Sequence, residues 1–85
     1  MAPVTLYSTM MCPYCFAAKS LLKEKGTSFD VIDVTMNPLK RAAMSRKSGG
    51  RTSVPQIFIG EIHVGGFDEL SALDRQGKLD VLLGI

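Results

Sequence analysis

The sequence predicts an α/β fold, a four-stranded mixed sheet with three main helices in the order β-α-β-α-β-β-α. Three observations carry this. Short β-prone apolar runs alternate with segments whose apolar residues recur at helical spacing. The strand candidates are apolar nearly throughout, as in a sheet covered by helices on both faces. Gly60-Glu61, between the third and fourth strands, fits a two-residue hairpin turn with Gly first.

The first strand is Val4-Thr5-Leu6-Tyr7, followed by the polar pair Ser8-Thr9. From Pro13 to about Lys25 the pattern turns helical: Ala18, Leu21 and Leu22 share one side, while Lys19, Lys23 and Glu24 lie on the other. Pro13 suits the first helical position, where its missing N–H would be unpaired anyway. Gly26 is the expected stop. Phe29-Asp30-Val31-Ile32-Asp33 is the second strand. Asn37 caps a second helix with Pro38 at its first position, running through Leu39, Ala42, Ala43 and Met44 to the Ser48-Gly49-Gly50 break.

Pro55 opens the third strand, Gln56-Ile57-Phe58-Ile59, and Ile62-His63-Val64 returns as the fourth, ended by Gly65-Gly66. The last main helix runs from about Phe67 to Gln76, burying Leu70 and Leu73, and Gly77 stops it. Leu79, Val81 and Leu82 are expected to pack as a short final helical turn. The first two strands should be parallel through a right-handed crossover, and the last two antiparallel. No internal repeat or linker is evident.

Composition narrows the function. Eighty-five residues make one small domain, 1–85, too short for separate catalytic and cofactor domains. Hydrophobic residues at 46% and charged ones at 21% exclude a disordered tail and a low-complexity linker. The apolar runs fall far short of the roughly 18 residues of a membrane span, so no membrane partner is expected. The N-terminus lacks a basic start leading into an apolar stretch, which points to the cytoplasm. A net charge of +2, scattered along the chain, argues against nucleic acid as a partner. Monomer is the default expectation.

The chain has two cysteines, three positions apart. A bond between Cys12 and Cys15 closes a loop too small to remove much unfolded-state entropy, so it is a poor structural staple. A structural zinc site needs four ligands, and only His63 is available beyond the pair, so no metal site is expected. Two inert buried thiols fit badly with Pro13-Tyr14 between them at a helix start. A Cys-x-x-Cys where a strand hands over to a helix points instead to thiol–disulfide chemistry. Unpaired N–H groups of the first turn favour thiolate over thiol at Cys12. Cys15, one turn on and more buried, is placed to attack a disulfide formed at Cys12. The expected catalytic pair is therefore Cys12 as nucleophile and Cys15 as resolving thiol.

Two further segments stand out. In Ser53-Val54-Pro55 the proline forces Val54 to be extended, and a cis Val54–Pro55 bond would expose the Val54 backbone to an incoming extended peptide. An ordinary turn is the plainer reading of that segment alone. In Gly65-Gly66-Phe67-Asp68, glycine permits close backbone approach and the helix start offers N–H groups to a carboxylate. Asp68 is expected to cap that helix or to accept from a ligand amine. His63 is expected to be a strand residue without a catalytic role.

Together these segments resemble the glutaredoxin family over essentially the whole chain. Cys12-Pro13-Tyr14-Cys15 is the typical dithiol active site of that family, here of bacterial type; Ser53-Val54-Pro55 stands for its Thr-Val-Pro, and Gly65-Gly66-Phe67-Asp68 for its Gly-Gly-x-Asp. The resemblance implies a thioredoxin-like fold with a cis-proline beside the active site. It implies glutathione as co-substrate with no tightly bound cofactor, and glutathionylated or disulfide-bearing proteins as partners. Glutathione's cysteine backbone would pair with Val54, beside Ser53 and Pro55. Its γ-glutamyl end would lie on Gly66, Phe67 and Asp68. Tyr14 would flank the thiol, and Arg41 would meet the glycyl carboxylate.

The sequence departs from the family at two places. Thr9 stands where many relatives have Lys three residues before the nucleophile, and Phe67 where many bacterial ones have a third Cys. Met10 and Met11 enlarge the apolar rim of the site. The function implied is glutathione-dependent reduction of protein–glutathione mixed disulfides and protein disulfides. Two alternatives stay open: a glutathione-independent redoxin acting as electron donor, disfavoured by the glycine–helix element, and an iron–sulfur cluster carrier, disfavoured by Pro13.

Overall fold

The computed structural model describes residues 2–85. Its elements are β1 (Val4–Ser8), α1 (Pro13–Glu24), β2 (Asp30–Asp33), α2 (Pro38–Lys47), β3 (Gln56–Ile59), β4 (Ile62–Gly65), α3 (Phe67–Arg75) and α4 (Leu79–Leu83). The sheet order is β2-β1-β3-β4. β1 runs parallel to β2, with Leu6 opposite Val31, and antiparallel to β3, with Leu6 opposite Ile57. β3 and β4 form the hairpin, whose turn begins at Gly60 with φ +60, the left-handed geometry a Gly-first turn requires.

Strand alternation divides the core between the two faces of the sheet. Val4 and Leu6 of β1 and Ile57 and Ile59 of β3 meet Ala18 and Leu22 of α1, Leu70 of α3, and Leu79 and Leu83 of α4. On the other face Tyr7 and Phe58 pack with Val34 and with Met44 of α2, the Tyr7 and Phe58 rings edge to face at 5.7 Å. The central strands are therefore covered on both sides. The edge strands are not: Val31 in β2 and Ile62 in β4 are exposed.

The starts of α1 and α2 agree with the sequence, each with its proline in the first turn. Asn37 caps α2, its Oδ1 accepting from the Lys40 N–H at 3.1 Å, with Pro38 inside the first turn. Gly26 and Gly77, past the ends of α1 and α3, have φ of +70 and +73. In the last turn Val81 is exposed, whereas Leu79 and Leu83 are buried. The inward pair is spaced by four residues, which puts both on one helical face and turns Val81 outward. Lys25, at the end of α1, holds this region: its Nζ lies 2.7 Å from Asp74 of α3 and 2.8 Å from Asp80 of α4.

Candidate active site

The site forms where α1, the segment before β3 and the start of α3 converge. Cys12 is the N-cap of α1, with extended backbone (φ −137, ψ 101). Its carbonyl accepts from the Phe16 N–H at 3.2 Å, and its Sγ accepts from the Cys15 N–H at 3.1 Å. An amide of the first turn, which has no partner within the helix, is thereby aimed at sulfur. Cys12 and Cys15 are joined by a disulfide with Cα atoms 5.1 Å apart. Cys12 is the outer of the two, 8% exposed against 1%.

Across from Cys12, Sγ lies 3.9 Å from the Val54 carbonyl oxygen. The Val54–Pro55 bond is cis, and Pro55 is buried. A buried polar network holds this segment from behind. Gln56, fully buried, donates from Nε2 to the Ser53 carbonyl at 3.0 Å and to the Ser53 hydroxyl at 3.3 Å. Its Oε1 lies 2.7 Å from His63 Nε2, so His63 in β4 reaches the Ser53 segment through one side chain. Partial burial, with the Arg51 charge nearby, pushes the His63 pKa below its ordinary value, and Glu69 opposes the shift.

Beside these residues runs an open groove of about 140 Å³. One wall is Ser53, Val54 and Pro55, the other Gly66, Phe67 and Asp68, and Tyr14 closes one end. The Tyr14 and Phe67 rings stack at 6.2 Å, linking the starts of α1 and α3. Seven residues expected from the sequence are thus brought together. Arg41 is not among the lining residues: its Nη2 donates to the Thr52 carbonyl at 3.0 Å, on the outside of the same loop.

Two lining residues were not expected, Arg51 and Glu69. Arg51 Nη1 donates to Glu69 Oε1 at 2.7 Å, and the same oxygen accepts from the Gly66 N–H at 3.2 Å. Glu69, three residues after the N-cap Gly66, therefore caps α3, the role anticipated for Asp68. Asp68 is exposed and its carboxylate makes no hydrogen bond or ion pair with the described residues. The hydrogen bond from Arg51, then that from Gly66, holds the Glu69 carboxyl below the ordinary carboxylate range. An acidic residue at the third position after a glycine at a helix start was the available signal for Glu69. Arg51 carried none, because only the fold brings its loop to α3.

Gly65 completes this corner. Its φ is +115, and a Cβ there would collide with the Glu69 carboxylate. It follows an extra residue in β4: Phe58 pairs with His63 but Ile57 pairs with Gly65, leaving Val64 as a bulge. On the far side of Cys12, Met10 and Met11 are 67% and 92% exposed. The Met10 N–H donates to Thr35 Oγ1 at 3.0 Å, tying this rim to the loop that carries the exposed Met36.

Comparison with known proteins agrees with this geometry. The glutaredoxin family profile matches residues 4–64. The chain belongs to the glutaredoxin family. A glutaredoxin from Pseudomonas aeruginosa is 55% identical over 83 residues, covering 98% of each chain. Escherichia coli glutaredoxin 3 is 52% identical over 83 residues, covering 98% of this chain and 99% of its own. Among solved structures, that of a Brucella melitensis glutaredoxin has a TM-score of 0.85 at 52% identity, covering 98% of this chain and 89% of that one. A buckwheat glutaredoxin in complex with glutathione has a TM-score of 0.88 at 30% identity, covering 98% of this chain and 77% of that one. The glutaredoxin described here is accordingly a glutathione-dependent thiol–disulfide oxidoreductase with a thioredoxin-like fold. Among its described residues, no helix is long and apolar enough to cross a membrane.

Proposed function

We propose that Cys12 is the nucleophile, that Cys15 resolves, and that the groove beside them holds glutathione. The observation that carries this is the position of Cys12 Sγ, between the Cys15 amide at 3.1 Å and the Val54 carbonyl at the groove's edge at 3.9 Å. The amide favours the ionised sulfur. The groove fixes where an attacked disulfide would lie relative to it.

Glutathione's cysteinyl backbone pairs with Val54, between Ser53 and Pro55. Its γ-glutamyl carboxylate meets the N–H groups of Phe67 and Asp68 next to Gly66, and its ammonium meets the Asp68 carboxylate. Tyr14, stacked on Phe67, covers the sulfur end. Arg41 serves the site indirectly, by holding the Thr52 carbonyl and with it the start of the Ser53 wall.

In the first reaction the Cys12 thiolate attacks the glutathione sulfur of a protein–glutathione disulfide. The S–S bond breaks, the protein leaves as a thiolate, and glutathione stays on Cys12. A second glutathione thiolate then attacks that glutathionyl sulfur, releasing glutathione disulfide and the Cys12 thiolate. With a protein disulfide, the Cys12 thiolate attacks one substrate sulfur, the substrate S–S bond breaks and the other sulfur leaves as a thiolate. Cys15, deprotonated, then attacks Cys12 Sγ, the substrate sulfur held there leaves as the second thiolate, and the Cys12–Cys15 disulfide remains. Two glutathione molecules return it to the dithiol. Glutaredoxin potentials of about −200 to −230 mV lie near the glutathione poise measured by extraction, so the bond can cycle.

Glutathione acts as co-substrate and no tightly bound cofactor takes part. The protein partners are glutathionylated or disulfide-bearing proteins. One domain, residues 1–85, working as a monomer in the cytoplasm, contains every residue this scheme uses. The deciding experiment compares two variants on two substrates. Cys15→Ser keeps removal of glutathione from a mixed-disulfide peptide but loses reduction of a protein disulfide. Cys12→Ser loses both, and retained activity in that variant would discard the scheme.

A further inference from the structure

The groove contains a carboxylate of the protein's own. Glu69 Oε1 accepts from both the Arg51 guanidinium and the Gly66 amide, and all three residues line the space proposed for glutathione. Arg51 lies on the loop leading to the Ser53 wall and Glu69 on the helix behind the opposite wall, so their contact crosses the site. From this arrangement we infer that Glu69 is an internal rival of the ligand's γ-glutamyl carboxylate, and that Arg51 is the cation for which the two compete. This rests on the glutathione reading above and adds to it two residues that set affinity.

Three observations support the assignment. Arg51 makes one side-chain hydrogen bond among the described residues, through Nη1, so the other donors of a guanidinium lining the groove are unused. Arg51 and Glu69 side chains are each 42% exposed, so a dissolved anion reaches them and their pairing is weak enough to exchange. Finally, Gly65, where any side chain would strike Glu69, leaves the carboxylate room to sit against the Gly66 amide. An anionic ligand approaching this end of the groove meets one positive and one negative charge. Removing the negative one strengthens its hold, and removing the positive one weakens it. The hydrogen bond from Arg51, then that from Gly66, holds the Glu69 carboxyl below its ordinary range, so it is charged at neutral pH, where the rivalry operates.

The test uses the full chain with Glu69→Gln and Arg51→Gln. Glutamine at position 69 still offers an oxygen to the Gly66 amide, which keeps the helix cap, and thermal melting checks that each variant folds. KM and kcat are measured on a glutathione mixed-disulfide peptide and on the same peptide with the γ-glutamyl α-carboxylate amidated. Glu69→Gln is expected to lower KM for the free carboxylate by roughly two- to fivefold, and Arg51→Gln to raise it by a similar factor. Both changes fall on KM rather than kcat, and both vanish with the amidated peptide. An unchanged or higher KM for Glu69→Gln overturns the inference, as does a gain that survives amidation. Loss of turnover in the unmodified protein would instead bring down the glutathione reading, so the two failures are distinguishable.

Discussion

Gln56 shows how one side chain ties the sheet to the chemistry. Its amide orientation is fixed by the Ser53 carbonyl, which accepts only from nitrogen; Oε1 is left for His63, which must then carry a proton on Nε2. His63 and Gln56 thus brace the ledge that presents Val54 to Cys12. His63→Phe keeps a ring against Phe58 but leaves Gln56 Oε1 without its donor. It is expected to raise KM for a glutathione mixed disulfide. The same variant tests a pH dependence. Partial burial lowers the folded-state pKa of His63, so the unfolded chain takes up this proton first. Stability is then highest above the unfolded value of 6.5 and falls as the pH drops through the folded one. Denaturant unfolding at a series of pH values should show this slope in the parent and a flatter one in His63→Phe. None of it was legible in the sequence, where His63 is a strand residue and Gln56 one polar letter in an apolar run. Cys12, Val54 and the glycine–helix junction were legible because each is bound to a local backbone demand: a helix start, a proline and a left-handed glycine.

At the scale of elements, the strands and helices follow their local signals closely. Pro13, Pro38, Gly26, Gly60 and Gly77 mark starts, stops and the turn where backbone geometry allows little else. Two features escaped that logic. The β4 bulge depends on how β4 must turn to reach α3, and the inward face of α4 depends on where the sheet lies. The junction of α1, α3 and α4 is held by Lys25, whose pKa is pushed up by hydrogen bonds to Asp74 and then Asp80. Lys25→Gln leaves two carboxylates facing each other without a cation. It is expected to lower the thermal midpoint, with earlier loss of hydrogen-exchange protection in α4 than in β1 or β3. Salt should narrow the difference from the parent protein, since the pair lies where solvent ions reach it.

For the whole molecule, 85 residues bury a small core, and total stability of about 4–13 kcal/mol follows from the usual range per residue. Leu22, fully buried among β1, β3 and the helices, belongs to the face that supports α1 and so the position of Cys12. Leu22→Ala is expected to cost about 2–5 kcal/mol, a large part of that total, measured by chemical denaturation. The overall architecture was legible because strand and helix periods are written locally. The pairing of Arg51 with Glu69 was not, because residues 18 positions apart meet only once the sheet has closed.

With Phe67 at the start of α3, the two sulfurs at positions 12 and 15 are the whole thiol inventory of the chain. Electrons therefore enter and leave by a single door, and oxidation has no spare cysteine through which to cross-link two copies once that internal bridge has formed. On the proposed scheme, the number of thiols that an alkylating label finds once the protein is unfolded, which opens the buried Cys15, tells the stages of turnover apart: two for the reduced protein, one while a partner is attached, none for the bridged form.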